Sequence, residues 1–177
     1  MKMFVLILSQ ILTFNILTAQ ISNPVNVTIE LSGAGQTISV NNSTVDLVFN
    51  AATDYTDGVH SGDATKDHIT IGSTSGFQVV VKGAGDLSSG SNTLPLSSIV
   101  ITPSNGSVVS GIAPVYTATA EGLTTADQTI ITSTDGTAAA KFNVDYFAKD
   151  NEAYMSAVAS HGTATYSTTI TYAIMAY

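Results

Sequence analysis

From residue 25 onward the chain repeats one pattern, apolar residues at every second position in short runs broken by Gly, Ser, Asn and Asp. Val25, Val27, Ile29 and Leu31 alternate with Asn26, Thr28 and Glu30, which puts four apolar side chains on one face of an extended strand. Residues 32–35 (Ser-Gly-Ala-Gly) interrupt the run, and Ile38 with Val40 resumes it. Asn41-Asn42-Ser43 marks a turn before Val45, Leu47 and Phe49. Ile69 and Ile71 define a short strand, and Phe77, Val79 and Val81 a stronger one. Ile99 and Ile101 lead into a strand that Pro103 is expected to stop, because proline lacks the N–H a ladder needs. Residues 115–120 and 128–133 are weaker strand candidates separated by the turn-like Glu121-Gly122. Phe142, Val144 and Tyr146 carry the clearest alternation.

Two stretches, 50–67 and 83–93, read as polar loops, the second rich in Gly and Ser. Residues 150–161 fit either a short helix capped by Asp150 and carrying Ala153, Tyr154, Ala157 and Val158, or irregular structure. After Gly162 the chain reads as one long strand with Tyr166, Thr168, Ile170, Tyr172, Ile174 and Ala176 on a common face. Many short strands, turn residues between them and little helical periodicity predict a single all-β domain, an antiparallel immunoglobulin-like sandwich over residues 21–177.

The first twenty residues obey different rules. Lys2 precedes a mainly apolar run, 3–17, too short for a comfortable membrane span, and Ala19 offers a small residue for cleavage. This is the layout of a secretory signal peptide, residues 1–20, cut after Ala19 or Gln20. It predicts export through the periplasm to the cell surface or the medium. No Cys follows the apolar run, which argues against a lipid-anchored lipoprotein, and no second long apolar stretch predicts a membrane span in the mature chain. The chain must therefore fold on packing alone, without disulfides. Its 13 acidic against 5 basic residues, a net charge of −8, repel phosphate backbones and exclude nucleic acid as a natural partner.

The order of these features resembles bacterial fimbrial subunits of the chaperone–usher and spore-coat-protein-U-like type. The shared features are the signal peptide, the alternating segment Val25-Asn-Val-Thr-Ile-Glu-Leu31, and the Gly-interrupted second strand Gln36-Thr-Ile-Ser-Val40. A Gly followed by a Tyr- and Thr-rich final strand ending in Tyr177 completes the likeness. The chain departs from that pattern in lacking a Cys pair and in having Ala176 penultimate. The resemblance implies a surface-displayed structural subunit whose domain lacks one strand, filled by the N-terminal segment of a neighbour. Other copies of the chain or related subunits would be its partners. Val25, Val27, Ile29 and Leu31 suit the donated strand, and Tyr166, Ile170, Tyr172 and Ile174 mark the C-terminal strand. The same apolar face equally suits pairing within one chain.

Catalytic, cofactor and metal chemistry finds little support in the residues. Asp54, Asp57, Asp63 and Asp67 lie near His60 and His68 in the first loop, and oxygen ligands of this kind suit Ca²⁺. Their spacing does not fit an EF-hand, so a solvated acidic loop is expected. His60, His68 and His161 lack compact ligand spacing and are expected on loops or the surface. Residues 83–90 miss the third Gly spacing of a dinucleotide loop and the Lys of a phosphate loop. Gly72-Ser-Thr-Ser-Gly76 has Thr74 where a nucleophile elbow needs Ser. No catalytic residue and no cofactor is assigned. An alternative function remains open: a self-contained extracellular adhesin or carbohydrate-binding sandwich, its loops touching a surface glycan or host ligand through residues such as Tyr55 and Asp57.

Overall fold

Every alternation with a partner on at least one side becomes part of an antiparallel ladder. In the computed structural model, which describes residues 35–107, 116–149 and 152–177 (the side chains of Glu152 and His161 excepted), two sheets face each other. The first runs in the order β1 (Gln36–Val40), β3 (Ile69–Ser73), β11 (Thr137–Ala148), β7 (Ile99–Asn105) and β9 (Glu121–Gly122), with β2 (Val59–His60) paired to the end of β11. The second runs β12 (Ile170–Ala176), β4 (Phe77–Gly83), β10 (Gln128–Ser133) and β8 (Tyr116–Ala118). A hairpin of β5 (Leu87–Ser89) and β6 (Asn92–Leu94) extends from one end.

The core lies between the sheets. Ile69, Ile71, Ile101, Phe142 and Val144 of the first meet Phe77, Val79, Val81, Ile130 and Ile131 of the second, all fully buried. Period two accounts for this: on β11 Ala140, Phe142, Val144, Tyr146 and Ala148 point inward, while Lys141, Asn143, Asp145 and Phe147 point out. The chain is thus an all-β antiparallel sandwich, as the alternation predicts.

Several local expectations need correction. β7 does not stop at Pro103; it continues to Asn105, with Pro103 opposite Val144. Proline is tolerated there because β9 covers only Val100 and Ile101, so beyond them β7 is an edge among the described residues. Glu121-Gly122 is not a turn but the short β9 that supplies that cover. Both Ile130 and Ile131 turn inward at a β-bulge between Thr129 and Ile131, which explains why β10 looked weak by strict alternation. The stretch 83–93 contains the β5–β6 hairpin, with Gly90 at a φ of 61° in its turn. Within 50–67 stand a helical turn α1 (Asp54–Asp57), β2 and a 3₁₀ turn (Gly62–Thr65).

Two further segments differ from expectation. Val45, Leu47 and Phe49 are half-buried and their neighbours exposed, yet residues 44–50 join no ladder among the described residues. Residues 152–161 form the helix α2 (Glu152–His161), which docks through Tyr154; its hydroxyl meets Ser98 Oγ at 2.5 Å and its ring lies 5.0 Å from Phe49. Val158, expected on the packed face, is exposed. No helix among the described residues is long and apolar enough to cross a membrane.

Candidate functional site

One flank of the sandwich is built differently from the rest. β1 is the edge of the first sheet and β12 the edge of the second, and the two come into contact there. Among the described residues no backbone ladder joins them. β12 is hydrogen-bonded to β4 along its whole length, Ile170 opposite Gly83 through Ala176 opposite Phe77, so its other edge faces this flank. Ile38 from β1 and Ile170, Tyr172 and Ile174 from β12 pack against the core but remain half-exposed. An edge strand with an apolar row beneath it is the geometry that accepts a further strand.

The C-terminal strand is shorter than the sequence predicts. Ladder pairing starts at Ile170, and residues 162–169 reach it outside any ladder, held by Ser167, which exchanges backbone bonds with Ser88 of the hairpin. Tyr166 therefore lies before the strand, though Tyr166, Thr168, Ile170, Tyr172 and Ile174 all stay half-buried and their neighbours exposed. Ala176, expected on that face, is exposed. The complementing set Val25, Val27, Ile29 and Leu31 lies outside the described residues, as do Asp150 and Val115.

Polar atoms tie β12 to the opposite sheet at one point. The Tyr172 and Tyr146 hydroxyls are 2.6 Å apart, and Tyr146 Oη is 2.9 Å from His68 Nε2. His68 is 2 % exposed and Tyr146 4 %, so the relay runs through the core from β12 to β11 and the start of β3. Burial pushes both phenols above their ordinary value, Tyr146 to about 12. Burial pushes the His68 imidazole down; the Asn41 backbone acts in the opposite direction, though His68 Nδ1 completes no hydrogen bond. His68 stands in the loop just before β3, within the expectation of a loop or surface histidine, but it is buried and not on the surface. Strict alternation would place it on the outer face beside Thr70, but Asp67 adopts a φ of 50° and the turn lets both His68 and Ile69 point inward. That left-handed residue before the strand is the signal sequence reading missed.

The remaining acidic-loop residues separate. Asp54 accepts the backbone N–H groups of Asn50 and Ala51, tying the chain before α1 to its first residue, and Asp63 pairs with Lys66 at 2.9 Å. Asp67 accepts from the backbone and hydroxyl of Ser107 and lies 3.4 Å from Lys141, pinning β7's end to β3 and β11. The Ser107 bonds hold its carboxyl below the usual carboxylate range. His60 Nδ1 meets Asp145 Oδ2 at 2.6 Å on the outer face, its ring stacked 4.2 Å from Phe147. A side chain at Gly58 would run into that Phe147 ring, and its φ of 80° also favours glycine. No three of these carboxylates and imidazoles converge as metal ligands among the described residues. Tyr55, a candidate ligand contact, packs against Phe49 at 5.2 Å.

No family model matches the chain, nor does any curated protein or solved structure. Its function must be argued from the flank itself.

Proposed function

We propose that this chain is an exported, surface-displayed structural subunit that assembles through β-strand complementation, with other copies of itself or related subunits as partners. The observation that carries the reading is the flank where β1 and β12 meet as two edges over half-exposed Ile38, Ile170, Tyr172 and Ile174. A complementing strand needs unpaired backbone groups on one side and an apolar row to cover; among the described residues β12 pairs only with β4, and it carries Ile170, Tyr172 and Ile174. Val25, Val27, Ile29 and Leu31 supply the matching apolar face in sequence. Burying four such side chains contributes roughly 6–12 kcal/mol as an upper bound. That is comparable to the whole stability of a domain, about 5–15 kcal/mol, so the strand decides which assembly state survives.

The test compares the mature chain with a version carrying a tethered second copy of residues 23–32. The mature chain is expected to form concentration-dependent oligomers by light scattering, and the tethered copy to give a monomer with a higher Tm. A concentration-independent monomer, unchanged in folding by Val27→Asp with Ile29→Asp, would reject the reading.

A further inference from the structure

The relay from His68 through Tyr146 to Tyr172 leaves a buried imidazole nitrogen without a hydrogen bond, and it spans the same flank. We propose that these three residues form an acid-sensitive latch, in which protonation of His68 loosens β12 from the six-stranded sheet and opens the flank between β1 and β12.

Hydrogen-bond direction separates the neutral from the protonated ring. A neutral imidazole carries one N–H and one bare nitrogen, so Nε2 can accept from Tyr146 while Tyr146 accepts from Tyr172, or the chain can run the other way. A protonated ring has two donors. Nε2–H must then donate to Tyr146 and Tyr146 to Tyr172, so the direction in which Tyr172 donates into the relay is lost and its proton must find an acceptor elsewhere. The second N–H, at Nδ1, is buried where no hydrogen bond is completed and only the Asn41 backbone favours it, and a positive charge sits in the core.

Among the described residues no nearby charge offsets this. Among the described residues the titratable groups facing the ring are Tyr146 from β11 and Tyr172 from β12, both neutral at ordinary pH. Its neighbour Asp67 directs its carboxylate to Ser107 and Lys141 instead. No charged side chain contributes to the imidazole's titration, only burial and the Asn41 backbone. The folded ring therefore resists protonation below its ordinary value of 6.5, and the relay's stability is present above that pH and lost as pH falls toward the folded value.

The cheapest escape is local. The β12–β4 ladder is independent of the relay, so β12 can keep its own sheet and part from the other, whose contact at this point is the Tyr172 hydroxyl and the half-exposed row. The latch acts on β12 whether or not that edge receives a strand.

Amide hydrogen exchange of the full mature chain, held dilute and followed at pH 8 and pH 5 with imidazole resonances recorded in parallel, tests the latch. Expected is faster exchange at Tyr172, Ile174 and Ile38 in acid after correction for intrinsic rates, by at most about tenfold per pH unit, the limit for one proton. The step should follow the His68 titration, vanish in His68→Gln and persist in His60→Gln. Tyr172→Phe should exchange fast at both pH values. Unchanged protection of the flank in the unsubstituted chain while His68 titrates would overturn the proposal, as would a step that survives His68→Gln. Should His68→Gln fail to fold, the match or mismatch between exchange and imidazole titration in the unsubstituted chain decides.

Discussion

β11 and β12 share the same alternation of apolar and polar residues, and they end in different surroundings. β11 is bonded on both sides, to β3 and β7, and its inward row from Ala140 to Ala148 is buried throughout. Among the described residues β12 is bonded on one side only, and its inward row of Ile170, Tyr172 and Ile174 is half-exposed. The contrast teaches that period two sets which face is apolar, whereas the number of neighbouring strands sets how completely that face is removed from water. A doubly bonded strand anchors the fold; a singly bonded one is where local opening costs least.

Truncating one side chain on each strand gives the largest effect. Phe142 is fully buried and meets Tyr116 edge-on at 4.8 Å, so Phe142→Ala should cost about 3–5 kcal/mol. Ile174→Ala removes a half-exposed side chain and should cost about 1–2 kcal/mol, near half of full burial. Urea midpoints at unchanged m measure both. Equal costs would erase the distinction between anchor and flank. An Ile174→Ala cost that climbs with protein concentration would sharpen it, because a strand from another copy would then be covering that residue.

Alkaline pH probes the one polar tie between the two strands. Tyr146 and Tyr172 are both raised by burial, Tyr146 to about 12, from an ordinary 10.0. A phenol raised in the folded state contributes stability that is complete below pH 10 and lost as pH climbs toward 12. Stability should therefore fall between pH 10 and 12, with the rise of phenolate absorbance delayed for these two residues until unfolding. Tyr172→Phe removes the 2.6 Å bond, costs about 0.5–1.5 kcal/mol at pH 8, and should flatten the alkaline fall. An undiminished fall in Tyr172→Phe would assign it to other tyrosines.

Much of this was legible in the chain, and the exceptions have identifiable causes. The faces of β4 and β11 follow directly from Phe77, Val79, Val81, Phe142, Val144 and Tyr146, whose alternation is uninterrupted. Val45, Leu47 and Phe49 alternate as well, and they do turn inward, but alternation specifies a face and not a partner; residues 44–50 pair with no described strand. Pro103 and Glu121-Gly122 misled because local propensity yields to an edge position two strands away in sequence. The relay was hidden for a different reason. It joins His68, Tyr146 and Tyr172 across up to 104 positions of chain, and a single left-handed residue, Asp67, reverses the face on which His68 would be counted.

The two histidines frame the smallest expected effect. His60 has a closer partner than His68, Asp145 at 2.6 Å, and a ring stacked on Phe147, yet it sits on the outer face with 59 % of its side chain exposed. Water solvates both partners there and dissolved salt screens them, so shortness of contact does not translate into stability. His60→Gln should cost under about 1 kcal/mol in thermal unfolding at pH 6, and less again in 1 M salt. A loss above about 2 kcal/mol would mean that β2, pinned to β11 at Phe147 and Ala148, closes the first sheet as firmly as the buried relay ties the two sheets together. A negligible loss leaves burial, and not distance, as what separates the histidine that holds the sandwich from the one that decorates it.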